Sequence, residues 1–171
     1  MEGAFTLVEL LCVVALLGMI MLVAMPALQD TGRKRNLEIA ARTLATDMRR
    51  CQQTAITTGI PYCLEFLVYN ESYHYRIKNC QTSKTERISF PEGVNYRSTT
   101  FRIDGGFPKL RFNPNGAPNF GGTVVLCNYA DDVLYVIVTP ATGRVRISED
   151  PPDHWETSVS PDPVEQYSCT Y

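Results

Sequence analysis

The chain reads as an α+β protein: one long N-terminal helix, apolar throughout its first half, whose second half packs against an antiparallel β-sheet head. Three observations predict this. Residues 3–28, GAFTLVELLCVVALLGMIMLVAMPAL, form a nearly unbroken apolar run. Residues 37–55 then place Leu37, Ala40, Ala41, Leu44, Met48, Cys51 and Ala55 at three- and four-residue spacing, the period of an amphipathic helix. From Pro61 onward short β-rich runs alternate with turn residues.

A bilayer core about 30 Å thick needs roughly 20 apolar helical residues, and Leu10–Leu28 holds no charge, so a single membrane span is expected over residues 5–28. A secretory signal peptide would carry a basic leader, a shorter apolar stretch and a small-residue cleavage site after it. Here the leader is Met1-Glu2-Gly3-Ala4, and the small residues come first. Glu9 is the one charge in the run. An intramembrane carboxylate is costly unless partnered, which makes it a functional candidate. The competing reading places it at the headgroup boundary, reaching water.

Ala4, then Phe5-Thr6-Leu7-Val8-Glu9, then a long apolar helix containing Pro26 resembles the N-terminus of type IV pilins and type II secretion pseudopilins. The resemblance implies a prepilin leader, residues 1–4, cut after Ala4 by prepilin peptidase, with methylation of the new amino group on Phe5. The family's usual residue before the cut is Gly, so Ala4 is a departure. The register supports it, because cutting there makes Glu9 the fifth mature residue and Pro26 the twenty-second. In the family the carboxylate faces the N-terminal amine of a neighbouring subunit, giving Glu9 and Pro26 assembly roles. Gly18 and Pro26 weaken the helix physically, so the segment between them can bend or unwind on leaving lipid. The basic cluster Arg33-Lys34-Arg35 after the span would by charge alone lie in the cytoplasm. Pilins are oriented the other way, and the residue-by-residue motif outweighs that rule. The implied location is the cytoplasmic (inner) membrane, single-pass, with an extracytoplasmic head that later joins a filament. The implied partners are other pilin or pseudopilin subunits, the prepilin peptidase, the inner-membrane assembly platform and the membrane itself.

The second helical stretch is expected over residues 31–58, continuous with the span and stopped by Gly59 and Pro61. Its opposite face carries Arg35, Arg42, Arg49 and Arg50, a solvated face or a partner groove. YCLEFLVY and YHYRIK flank Asn70-Glu71 as a hairpin; RISF, LRF, TVVLC, VLYVIV and RVRIS follow, with DGG, NPNG and PATG as turns. The head spans residues 29–148. DMRRCQQTAITTGIPYCLEF, LRFNPNGAP and VTPATGRVRI resemble the FimT/GspH class of minor pilins and pseudopilins, leaving residues 149–171 unmatched.

Net charge is −2, unevenly spread. All 16 Lys and Arg lie in residues 29–148 against ten acids, whereas residues 149–171 hold six acids, no Lys or Arg, and four prolines. A Pro-rich acidic tail reads as a solvated segment or as a partner-binding arm.

No residues suggest catalysis. His74 lies among tyrosines and His154 in the tail; DGG and NFGG lack the strand-Gly-helix context of a phosphate loop; Asp131-Asp132 reads as a turn. Neither cofactor nor metal is expected, since the sequence has no C-x-x-C pair. An extracytoplasmic head permits disulfides. With Cys12 in the span, Cys51, Cys63, Cys80, Cys127 and Cys169 allow at most two bridges. Cys63 and Cys80, on opposite arms of the hairpin, are the favoured pair. Two functions from different classes follow: a structural subunit that initiates or caps a pilus or pseudopilus, and a DNA-binding minor pilin acting in uptake. For the second, Arg144 and Arg146 match the class's Gly-Arg-x-Arg strand and the basic body suits phosphate. Alternating Arg144-Val145-Arg146-Ile147 is also what an edge strand with one wet face looks like.

Overall fold

The computed structural model describes residues 7–67, 73–82 and 84–152, with the backbone alone for 22–30. Helix α1, Leu7–Thr58, is a single 52-residue rod. At about 1.5 Å per residue it is roughly 78 Å long. It runs through Gly18 and Pro26 without interruption. It ends where Gly59 takes a left-handed φ of 68° and donates its N–H to the Ala55 carbonyl at 3.1 Å, before Pro61.

From Leu7 to Met21 every side chain is exposed, with Leu7 at 74% and Ile20 at 65%. Among the described residues no helix is long and apolar enough to cross a membrane. The part of the expected span with described side chains covers 7–21, about 22 Å of helix against a core of about 30 Å. Residues 5–6 and the side chains of 22–28, Pro26 included, lie outside the described residues.

The second half of α1 supplies the floor of the core. Leu37, Ala40, Ala41, Leu44, Ala45, Met48, Cys51 and Ala55 are all buried, and the alanines let two sheets approach the backbone closely. The first sheet is antiparallel, in the order β3 (Thr85–Ile88), β2 (Tyr75–Asn79), β1 (Tyr62–Phe66), β6 (Phe107–Phe112) and β5 (Ile103–Asp104). The second runs β4 (Val94–Thr99), β7 (Gly122–Asn128), β8 (Val133–Val138) and β9 (Val145–Ser148), also antiparallel. Leu64, Phe66, Tyr75, Leu110 and Phe112 from one sheet meet Tyr96, Val124, Leu126, Val136 and Val145 from the other over the helix. Phe66 stacks on Phe101 at 5.2 Å and meets the edge of Tyr96 at 6.1 Å.

Strands β4 and β5 are absent from the sequence expectation. β4 does alternate, with Val94 and Tyr96 buried, but Asn95, Arg97, Ser98 and Thr99 dilute its apolar signal, and a bulge between Tyr96 and Ser98 breaks the period. β5 is two residues long and exists through its hairpin with β6. There Gly105 and Gly106, at φ 68° and 88°, form a two-residue turn that needs both residues left-handed. Asn70-Glu71, the other expected hairpin turn, lies outside the described residues.

Candidate assembly surface

The long helix is the feature by which this head can reach other molecules, and several polar contacts fix its direction. Tyr75 Oη donates to Asp47 Oδ2 at 2.7 Å, joining α1 to β2. Burial, reinforced by the neighbouring Asp47 carboxylate, raises the Tyr75 phenol above its ordinary range, so it stays a donor. Gln52 Nε2 donates to the carbonyls of Gly116 at 2.8 Å and Thr142 at 3.3 Å, clipping the helix to the turns before β7 and β9. A Cβ at Gly143 would stand 2.6 Å from that amide nitrogen, and Gly143 holds φ 66°, so glycine is required twice over. Sequence reading assigned neither Asp47 nor Gln52 a role. Their only signal was position on the helix flanks, which is shared by every solvated polar residue.

The arginines of α1 divide. Arg35 and Arg42 are exposed, Arg42 pairing with Glu38 one turn away at 2.6 Å. Arg49 and Arg50 instead border the buried stripe. Arg49 donates to the Val145 carbonyl at 2.9 Å, and Arg50 bridges Asp47 at 3.3 Å and Glu86 at 2.9 Å. The expected uniform basic face is therefore split: half of it binds the head to the helix. Beside the helix a cleft of about 750 Å³ opens between α1 and the β8–β9 edge. Leu37, Val133 and Leu134 line it together with Lys34 and Asp132, which pair at 3.8 Å.

Of the remaining sequence candidates, Glu9 sits exposed in the first turn of α1, and Ala4 and Phe5 lie outside the described residues. Arg144, just before β9, and Arg146, within it, are exposed at the edge of the second sheet. Neither forms an ion pair among the described residues. The structure brings Cys63 and Cys80 together in a disulfide with Cα atoms 6.3 Å apart. Cys12 and Cys51 are free thiols. Burial, with Asp47 and Glu86 against Arg50, pushes Cys51 up to about 12, which makes it unreactive at neutral pH. Asp131-Asp132 belongs to the β7–β8 turn. Asn128 Oδ1 accepts from the N–H groups of Ala130 and Asp132, and Asp131 pairs with Arg97 at 2.8 Å. His74 packs 4.7 Å from Phe90, its Nδ1 accepting the Phe90 N–H at 3.0 Å. His154 lies outside the described residues. Among the described residues no group of His, Cys, Asp and Glu is arranged to hold a metal.

A long helix laid across two antiparallel sheets, its first half apolar and exposed, is the architecture of a pilin. The chain belongs to the type II transport protein GspH family, whose model matches residues 40–149. It is a minor pilin or pseudopilin of a type II secretion system or type IV pilus, and members of such families are structural subunits that assemble with other pilins. The fold is similar to the type IV minor pilin FimU of Pseudomonas aeruginosa. The TM-score is 0.51 at 13% identity, over 67% of this chain and 90% of that one. The minor pseudopilin EpsH from the type 2 secretion system of Vibrio cholerae aligns with a TM-score of 0.46 at 13% identity, over 66% of this chain and 96% of that one. No curated protein sequence matches the chain.

Proposed function

We propose that the protein initiates or caps a type IV pilus or type II secretion pseudopilus, and that the first half of α1 anchors it in the inner membrane until it is assembled. The observation that carries this is the exposure of every side chain from Leu7 to Met21, in a segment whose only charge is Glu9. An all-round apolar surface of that length is not stable in water and calls for lipid or the helices of neighbouring subunits. The fixed angle of the helix, set by Asp47, Arg49 and Gln52, would place the head reproducibly on a filament surface. The Cys63–Cys80 disulfide fits an oxidising, extracytoplasmic compartment. On this reading prepilin peptidase cleaves between Ala4 and Phe5 and methylates Phe5, Glu9 registers the subunit against its neighbour, Pro26 lets the helix adjust, and the assembly platform extracts it. Mass spectrometry of the protein extracted from membranes of peptidase-positive cells tests it: a chain starting at N-methylated Phe5 is expected, and an intact Met1 terminus overturns the processing reading.

A second reading, DNA binding during uptake, draws on the exposed Arg144 and Arg146 at the edge of a sheet. Phosphate contacts release counterions, with a logarithmic salt slope of about 0.9 per phosphate on duplex DNA. The head should then shift a duplex at low salt without sequence preference, and replacing both arginines with Ala should lower affinity and slope together. No shift near about 50 mM salt at protein concentrations of roughly 100 μM removes this reading.

A further inference from the structure

The two faces of the first sheet differ in chemistry. Leu64, Phe66, Tyr75, Leu110 and Phe112 turn inward to the helix core. The alternate residues of the same strands turn outward, and cross-strand register sets them side by side. One row runs Arg87, Arg76, Glu65 and Lys109 across β3, β2, β1 and β6; the next runs Thr85, Lys78, Cys63 and Arg111. Asp104, opposite Phe107, ends the face at β5. Five cations on four strands therefore share this face with two carboxylates, although no two of the five are adjacent in the sequence.

The cations are held in place. Both carboxylates are used within the face: Glu65, 4% exposed, lies between Arg76 and Lys109, and Lys109 also reaches Asp104 at 3.2 Å. Lys78, Arg87 and Arg111 form no ion pair among the described residues. Among the described residues, all three stacks of arginine on an aromatic ring belong to this face or its edge. Arg76 lies over Phe107 at 5.1 Å, Arg87 over Tyr73 at 4.9 Å, and Arg102, whose carbonyl accepts the Lys109 N–H, over Phe120 at 4.8 Å. A guanidinium laid on a ring has little rotamer freedom left to lose when it meets an anion.

We propose that the outer face of the first sheet docks an acidic patch of a neighbouring filament subunit, whose carboxylates pair with Lys78, Arg87 and Arg111. This rests on the filament role proposed above. A folded protein suits the face better than a nucleic acid on two counts. Phosphates lie about 3.4 Å apart along each strand of duplex DNA, so a backbone crossing the face would meet Glu65 and Asp104 at close range, whereas a protein can set a neutral donor there. The rings already carry arginines and offer bases no stacking platform. Five strands about 4.8 Å apart make the face roughly 19 Å wide, and its longest strand, β6 with 6 residues, is about 20 Å long. That area, roughly 400 Å², is about half of one side of a standard interface. The face therefore sets the orientation of one head against the next, and α1 supplies the remaining contact.

Carbodiimide treatment of filaments containing the full-length chain tests this directly, because the reagent joins a lysine amine only to a carboxylate in contact with it. Peptide mapping should find Lys78 joined to an Asp or Glu of another subunit, with the internal Lys109–Asp104 link as the positive control. Replacing Arg87 and Arg111 together with Glu should lower recovery in the filament fraction several-fold, while the amount in the membrane and the Cys63–Cys80 disulfide are kept. Replacing both with Lys, which keeps the charge, should restore recovery. Lys78 linked only within its own chain, or wild-type recovery of the double Glu variant, overturns the docking while leaving the filament role standing. Absence of the wild-type chain from filaments overturns both. A duplex DNA shift by the wild-type chain that the double Glu variant abolishes assigns the face to phosphate and overturns the protein partner.

Discussion

His74 illustrates how one side chain acquires a state its type does not dictate. It is half-buried against Phe90 and Tyr96, with Nδ1 accepting from the Phe90 N–H and Nε2 placed 3.4 Å from Asn95 Oδ1. That arrangement assigns the neutral tautomer with the proton on Nε2. Burial lowers its pKa from the ordinary value of 6.5, opposed by the Asn95 contact. A depressed folded-state pKa means the unfolded chain takes up a proton first. The contribution is fully present above about pH 6.5 and is lost as pH falls below that value through the folded pKa. The chain in detergent should therefore lose stability between pH 7.5 and 5.5, and His74→Gln should lose less over the same interval, as read by thermal unfolding at each pH. Equal losses in both would show that the imidazole is not strained by protonation. Among its tyrosines His74 could equally have been a surface or a packing residue, because its partner Phe90 lies sixteen residues away across a strand and was not legible.

At the scale of elements, the contact between α1 and the two sheets carries the head. Leu44 and Met48 are wholly buried between them, and the flanking Ala40, Ala41 and Ala45 leave no side-chain bulk that could swing in to fill a vacancy. Leu44→Ala should cost about 2–5 kcal/mol, toward the upper part of that range because the neighbours cannot collapse. Urea unfolding followed by far-UV circular dichroism measures it, and Ile39→Ala, on the exposed face at 43%, is the control expected to change stability little. The helix itself was legible because seven apolar positions at helical spacing are a strong signal, to which the structure adds the buried Ala45. β4 was not legible, since its polar half outweighs Val94 and Tyr96 and its register exists only through pairing with β7.

For the whole molecule, the distribution of polarity explains the division of labour. The described apolar surface is concentrated on the first half of α1, and the head closes its own core over the second half. Ion pairs such as Arg42–Glu38 and Arg97–Asp131 sit in solvent and contribute little to stability. The buried Glu65, held between Arg76 and Lys109, is different: removing either cation would leave a carboxylate out of water. Arg144 and Arg146 are exposed at the edge of the second sheet, and Arg35, Lys84, Arg87, Arg102 and Arg111 are exposed elsewhere on the described surface.

By itself the sequence determined the class of the protein. An apolar run with Glu9 at a set distance from Phe5, and a helical stripe from Leu37 to Ala55, are local patterns that need no knowledge of distant contacts. Tertiary structure decided what local pattern cannot encode: the split of the nine described strands into two sheets, the use of Arg49, Arg50 and Gln52 to clamp the helix, and the burial of β7 on both faces. The physical reason is that periodicity reports which side of an element is apolar, whereas the partner that covers that side is set by chain segments far away in sequence.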